Sequence, residues 1–379
     1  MKILFWTPLY PPYIGGLEVF AHTLAKQLQA KGHTVVVISG TDTTSTSTKY
    51  ELDGITVYDF PFMHAVSTYN VKAIRSILME VQSIVSTFSP DVVHSHAWNE
   101  WSAFFQRRTF ETFAIPLCIT VHGLLGQPSF HTGYCKWVWE RANRVTAVSK
   151  ALKESLNNEG FFHSSLHVIY NGLPVQKRGV APPRSHSLLM IGRFTEEKCF
   201  DTAFYALKLL VAKYPTLRMT LIGDGPLFSD LMELRSALEL EDVLTLKGFI
   251  PHQDIDSYIE QSSVVVIPSS YESFCLVALE AAIAGRPVVA SNVLGLTEVV
   301  DNGKTGILVE PKSPQQLAAG IAKILDDSEL RIEMGHAAQK RAHTHFSIDQ
   351  SVQQYCTLYE QLVKETNESA SREYHYSHV

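Results

Sequence analysis

Short apolar runs alternate with amphipathic stretches along this chain, and the alternation starts over once, after residue 186. Residues 3–6, 34–39, 55–58, 92–94, 117–121, 144–148 and 168–169 read as strands; 17–29, 70–88, a stretch from about 99 to 112 and one from 149 onward read as helices. The second series has strands at 188–191, 219–222, 243–246, 264–267 and 287–290, with helices between the last three, and helices at 200–214, 226–238, 314–325, 329–343 and about 348–364. Strands that are apolar almost throughout must be buried on both faces, which calls for a parallel sheet covered by helices. At 379 residues the chain is long for one core and suits two such units. Between the series, GLPVQKRGVAPPRSH at 172–186 is rich in Pro, Gly and Arg and reads as a linker. The expected division is a domain at 1–171, the linker at 172–186, a domain at 187–345, a helix at 346–366 and a frayed polar tail at 367–379.

Composition closes off several classes. With 45% hydrophobic and 18% charged residues the chain has a globular make-up, and no apolar run approaches the length of a membrane span. MKILFWTPLYPP is too short in its apolar part for a signal peptide and is broken by prolines, so it reads as a first strand. The five cysteines, 118, 135, 199, 275 and 356, are odd in number, scattered and without a C-x-x-C, which argues for a reducing, cytoplasmic setting and against a structural metal. Net charge is +1 over 1–172 (13 basic, 12 acidic) and −7 over 173–379 (19 basic, 26 acidic), so neither half has a nucleic-acid footprint.

The stretch 269–285, SSYESFCLVALEAAIAG, carries the most chemistry. It holds Glu272 in a loop after an apolar strand and Glu280 inside a run of strong helix formers closed by glycine. A carboxylate among Val277, Ala278, Leu279, Ala281 and Ala282 is costly unless donors meet it. Between the acids lies a helix N-terminus whose free N–H groups suit a diphosphate. One acid at each end of an anion site would grip a nucleotide-sugar, although either could instead be a solvated or salt-bridged residue. Arg193 and Lys198 follow the first strand of the second series, where a guanidinium fork and an ammonium can offset a leaving diphosphate or simply face solvent. Gly15-Gly16 directly precedes a helix, and His122-Gly123 ends a strand; a tight turn and a structural histidine are the plain alternatives. His94 and His96 share one strand face without a further ligand cluster nearby. Gly223-Asp224-Gly225 lacks the third glycine of a dinucleotide fingerprint, having Phe228 there, which disfavours a nicotinamide-dependent dehydrogenase.

Glu272, Ser273-Phe274 and Glu280, with Arg193 and Lys198 ahead of them in order and spacing, resemble the signature of retaining glycosyltransferases of family 4. The resemblance spans almost the whole chain and implies the GT-B fold, two Rossmann-like α/β domains with parallel sheets facing across a cleft. It implies an acceptor-side first domain, a donor-side second domain and a last helix that crosses back to the first. It also implies roles: Arg193 and Lys198 on the departing diphosphate, Glu272 on the sugar hydroxyls, His122 on the sugar and Glu280 on the ribose. Gly15, Gly16, Phe274, Cys275 and Leu276 complete the expected donor site. Cys199 and Cys275 stand where the family usually has glycine, Pro174 where it has Asp, and Thr297 before Glu298 where it has Pro.

The implied activity is transfer of a sugar from a UDP- or GDP-linked donor to a hydroxyl of a glycan or lipid-linked acceptor, in glycan, surface polysaccharide or glycolipid synthesis. No cofactor and no metal are expected, because the cation pair takes the metal's place. A silent sugar-nucleotide-binding protein and a nucleotide-sugar 2-epimerase are the alternatives, the second lacking its His-Arg-Arg-Glu-Asn loop here. The aromatic segment 98–113, with Arg107 and Arg108, leaves open a peripheral contact of the first domain with the inner face of a membrane.

Overall fold

The computed structural model describes residues 1–13, 15–41, 44–96, 99–124, 133–175 and 186–376. Contacts divide the chain into two units, Met1–Tyr170 with Ile348–Val379, and Asn171–Ser347. Residues 176–185 of the expected linker lie outside the described residues, as do Trp98 and the last three positions.

The first unit opens with β1 (Lys2–Thr7), α1 (Gly16–Ala30), β2 (Thr34–Gly40), β3 (Thr48–Leu52), β4 (Ile55–Phe60), α2 (Phe62–Ser67) and α3 (Val71–Phe88). It continues through β5 (Val92–His96), α4 (Glu100–Phe110), β6 (Leu117–Val121), α5 (Gly133–Arg141), β7 (Arg144–Ala147), α6 (Lys150–Asn158) and β8 (Leu166–Val168). Its sheet has the order β3-β4-β2-β1-β5-β6-β7-β8, parallel except for the β3–β4 pair. The central strand β1 explains that place: Ile3, Leu4, Phe5 and Trp6 are fully buried, as residues covered on both faces must be. Helix starts are set by side chains. Asn70, Asn99 and Ser149 accept backbone N–H bonds of 3.0, 2.8 and 3.0 Å at the mouths of α3, α4 and α6.

The second unit runs through β9 (Ser187–Ile191), a 3-10 turn at Glu196–Lys198, α7 (Phe200–Leu210), β10 (Arg218–Ile222), α8 (Phe228–Ala237), β11 (Leu244–Gly248) and α9 (His252–Gln261). Then come β12 (Val264–Ile267), α10 (Leu276–Ile283), β13 (Val288–Ser291), α11 (Leu296–Val299), β14 (Gly306–Val309), α12 (Pro314–Asp326) and α13 (Ser328–His345). Its sheet is parallel throughout, in the order β11-β10-β9-β12-β13-β14. Helices α7 and α12 cover one face with Phe204, Leu207, Ile321 and Ile324, all fully buried, each contributing about 1.5–3 kcal/mol.

The last helix, α14 (Ile348–Tyr376), belongs to the first unit. It buries Tyr355 and Tyr359 completely, and Ser351 Oγ donates to the Tyr170 carbonyl at 2.8 Å.

Several elements depart from expectation. Strand β3 is expected as loop in part, and α2, α5, α11 and β14 are additions. The tail expected to fray from 367 continues α14 to Tyr376, since NESASREYHY is polar but contains neither Gly nor Pro to end a helix. In α4 the aromatic residues Phe105 and Phe110 are buried, whereas Arg107 and Arg108 stay partly exposed and bond Glu111.

The GDGP turn after β10 is a seat for the loop after β9. Gly223 has φ +143°, and a Cβ there would lie 1.9 Å from the Gly192 carbonyl oxygen. Gly225 has φ +158°, with a Cβ position 2.7 Å from the Phe194 nitrogen and oxygen. Gly223→Ala is therefore expected to destabilise the protein by about 2–4 kcal/mol, from overpacking and left-handed strain together. Urea unfolding checks this; an unmoved midpoint would refute the seat.

Candidate active site

In the second sheet, strand order runs one way from β9 toward β10 and β11, and the other way from β12 toward β13 and β14. The loops leaving β9 and β12 therefore part at the carboxyl ends of neighbouring strands, which is where open α/β sheets bind ligands. The β9 loop carries Arg193 and Lys198, and the β12 loop carries Glu272. Adjacent strands bring these distant residues together.

Lys198 Nζ lies 2.7 Å from Glu272 Oε1, which also accepts from Ser269 Oγ at 2.9 Å. The backbones are clamped as well: Ser270 N donates to the Glu197 carbonyl at 2.8 Å, and Gly295 N, from the loop after β13, donates to the Glu272 carbonyl at 2.9 Å. A Cβ on Gly295 would fall 2.2 Å from the Ser273 carbonyl oxygen, so only glycine lets these loops touch. Burial alone would lower the Lys198 ammonium, but the Glu272 carboxylate outweighs it and holds the pKa above the usual lysine value. Lys198 is thus a fixed positive charge. Arg193 is exposed and has no ion pair among the described residues.

Helix α10 begins at Leu276, so only part of the step between the two acids is helical. Phe274 is buried with its ring 5.5 Å from that of Phe346, and Leu276 is buried too; both anchor the loop by their side chains. Cys275, at the N-cap, has φ +79°, and Cys199 has φ +47°. Each cysteine thus keeps a left-handed backbone of the kind glycine takes most readily.

Glu280 is nearly buried, and its Oε1 meets His252 Nε2, in the first turn of α9, at 2.8 Å. Sequence reasoning missed His252. It sits in the polar run PHQD with no spacing relation to Glu280, and only the packing of α9 on α10 joins them. The hydrogen bond to Glu280 raises the His252 pKa above its ordinary value, against an opposing effect of burial. A folded-state pKa above the unfolded one adds stability that is fully present below the ordinary histidine value and lost as pH rises through the raised one. The melting-temperature difference between wild type and His252→Ala should accordingly be largest at mildly acid pH and vanish in the alkaline range. A difference growing with pH would contradict the pairing.

In the first sheet the order reverses between β1 and β5. Gly15 caps α1 beyond β1 and Gly16 is its first residue; Gly15 is extended (φ −173°), so its backbone does not demand glycine. His122 follows β6, partly exposed, with Nε2 3.3 Å from His96 Nδ1 at the end of β5. Burial of the ring pushes the His122 pKa down to about 3, so it is neutral. Among the described residues no group of three or more His, Cys, Asp or Glu is placed to hold a metal ion. No described helix is long and apolar enough to cross a membrane.

A family model described as glycosyl transferases group 1 matches residues 176–341, and one described as glycosyltransferase family 4 matches residues 14–177. Together they run through both units, and the chain belongs to the group 1 type glycosyltransferases of family 4. It is 28% identical over 381 residues to glycogen synthase of Mycobacterium tuberculosis, with 91% of each chain covered. Sucrose-phosphate synthase of Thermosynechococcus elongatus is similar in structure at a TM-score of 0.77 and 21% identity, covering 96% of this chain and 100% of the other. HepE of Anabaena, solved with UDP and glucose, gives a TM-score of 0.76 at 21% identity over 95% of this chain and 99% of that one. The fold is GT-B, two parallel-sheet α/β units of Rossmann type.

Proposed function

We propose that this glycosyltransferase moves a sugar from a UDP- or GDP-linked donor to an acceptor hydroxyl with retention at the anomeric carbon. The observation that supports it best is the Lys198–Glu272 pair at the switch point of the second sheet. In this reading Lys198 and Arg193 stabilise the charge that grows on the diphosphate as it leaves. Glu272 accepts from sugar hydroxyls, Glu280 from ribose hydroxyls, and His122 contacts the sugar. The bond from the anomeric carbon to the phosphate oxygen breaks, and the bond to the acceptor oxygen forms on the same face. The acceptor's proton passes to the leaving phosphate oxygen, so no protein nucleophile is required. The acceptor hydroxyl is that of a glycan or lipid-linked acceptor, and the cation pair makes a divalent metal unnecessary.

The test is transfer from UDP- and GDP-sugars to a panel of glycan and glycolipid acceptors, with and without EDTA, following nucleotide diphosphate release and product configuration by NMR. Turnover that persists in EDTA, with product configuration equal to that of the donor, is the expected result. An inverted product overturns retention. Activity lost to EDTA and restored by manganese overturns metal independence.

A further inference from the structure

Strand β5 ends in His94, Ser95 and His96, beside the point where the first sheet reverses order. His96 is fully buried, its Nδ1 faces His122 Nε2 at 3.3 Å, and its own Nε2 has no hydrogen-bond partner among the described residues. Two neutral imidazoles meeting nitrogen to nitrogen share one proton, so one donates and the other accepts. If His122 donated, the His96 proton would sit on Nε2, as an orphaned N–H in the core. If His96 donates, Nε2 is only an unused lone pair. Orphaned buried N–H groups are the rarer defect. The His96 proton therefore belongs on Nδ1, which makes His122 Nε2 an acceptor and leaves the His122 proton on Nδ1.

We infer that His96 is a positioning residue that fixes His122 as its Nδ1–H tautomer, so that His122 meets a ligand oxygen as a hydrogen-bond donor and not as a proton acceptor. The proposal deepens, and rests on, the reading of His122 as a sugar contact.

A second arrangement keeps His96 in place. The His94 ring lies 4.0 Å from that of His96, and both its nitrogens are engaged: Nδ1 with the Tyr359 hydroxyl at 2.5 Å, Nε2 with Thr120 Oγ1 at 2.7 Å. Thr120 Oγ1 in turn meets the Tyr355 hydroxyl at 3.0 Å. Held at both ends, His94 cannot turn its ring without breaking a buried bond, and it forms a wall against His96. Phe5 packs on His96 as well, at 4.6 Å between centroids. Burial holds His94 and His96 well below the ordinary histidine pKa, so one proton per ring is the state to count.

Long-range 1H–15N correlation of the full chain labelled with 15N-histidine reads the tautomer from the nitrogen shifts, with His122 assigned by its loss in His122→Ala. The expected wild-type pattern is Nδ1–H at His122, relaxing toward Nε2–H in His96→Leu. An Nε2–H pattern in the wild type overturns the proposal. Kinetics add a second arm. His96→Leu should lower kcat/KM about ten- to a hundredfold by misplacing the His122 donor. His96→Asn, whose amide N–H reaches where the imidazole Nδ1–H stands, should stay within about threefold of wild type. If the Asn variant folds and falls as far as the Leu variant, the donor role is wrong. Should His96→Leu fail to fold, the wild-type spectrum and the Asn variant decide. A wild type that turns over no nucleotide-sugar would sink the transfer reading alone, since the tautomer is measured without turnover.

Discussion

Lys198→Ala is expected to reduce kcat by about 10²–10³-fold while changing donor KM much less. Lys198 is held by Glu272 at 2.7 Å and is 24% exposed, and its raised pKa keeps it charged at any working pH. A preorganised cation of this kind acts where charge develops. The diphosphate already carries charge in the ground state, but the bridging oxygen gains it only as the sugar departs. Removing Lys198 also leaves the Glu272 carboxylate with Ser269 Oγ, 2.9 Å away, as its side-chain donor among the described residues. Breaking a fully buried pair costs about 3–5 kcal/mol; with Lys198 partly exposed, about 1–3 is expected here. Urea unfolding of the variant separates that loss from the kinetic one. A raised donor KM with kcat unchanged, and the fold intact, would assign Lys198 to ground-state binding instead. Arg193 is exposed, so solvent replaces more of its effect and its loss should be milder.

The fold was legible wherever a strand is buried on both faces. In β6 and β12 the apolar runs end where the strands end, because every residue in them is covered. The edge strand β3 was not legible: TKYEL is half exposed and pairs antiparallel only through its neighbour β4. Strand β14 is four residues long and gives no periodicity to read. At the site, residue order pointed to Lys198 and Glu272, but their contact depends on β9 and β12 being neighbours, which spacing does not encode. His252 was invisible for the same reason, being joined to Glu280 by helix packing alone. The glycines at 223 and 225 looked like a failed fingerprint. Their use is steric, to let the Gly192–Phe194 backbone lie against the turn.

Glu280→Gln is expected to weaken binding of the bare nucleotide diphosphate about ten- to hundredfold, the range for a charged acceptor facing a hydroxyl. Glu272→Gln should leave that binding unchanged or tighter, and weaken only the intact donor. The asymmetry follows from what each acid holds. Glu272 neutralises Lys198, so its removal frees a cation for the diphosphate. Glu280 is bonded to His252, an exposed and replaceable partner, so a ribose hydroxyl can share or displace that contact. His252→Ala should then keep nucleotide affinity or raise it slightly, because Glu280 is released rather than lost. Calorimetry with nucleotide diphosphate and with intact donor, on all three variants, measures the pattern. If Glu272→Gln weakens the bare nucleotide as much as Glu280→Gln does, the roles of the two acids are wrongly divided. If neither variant alters any nucleotide's affinity while the fold survives, the donor site does not lie at this switch point.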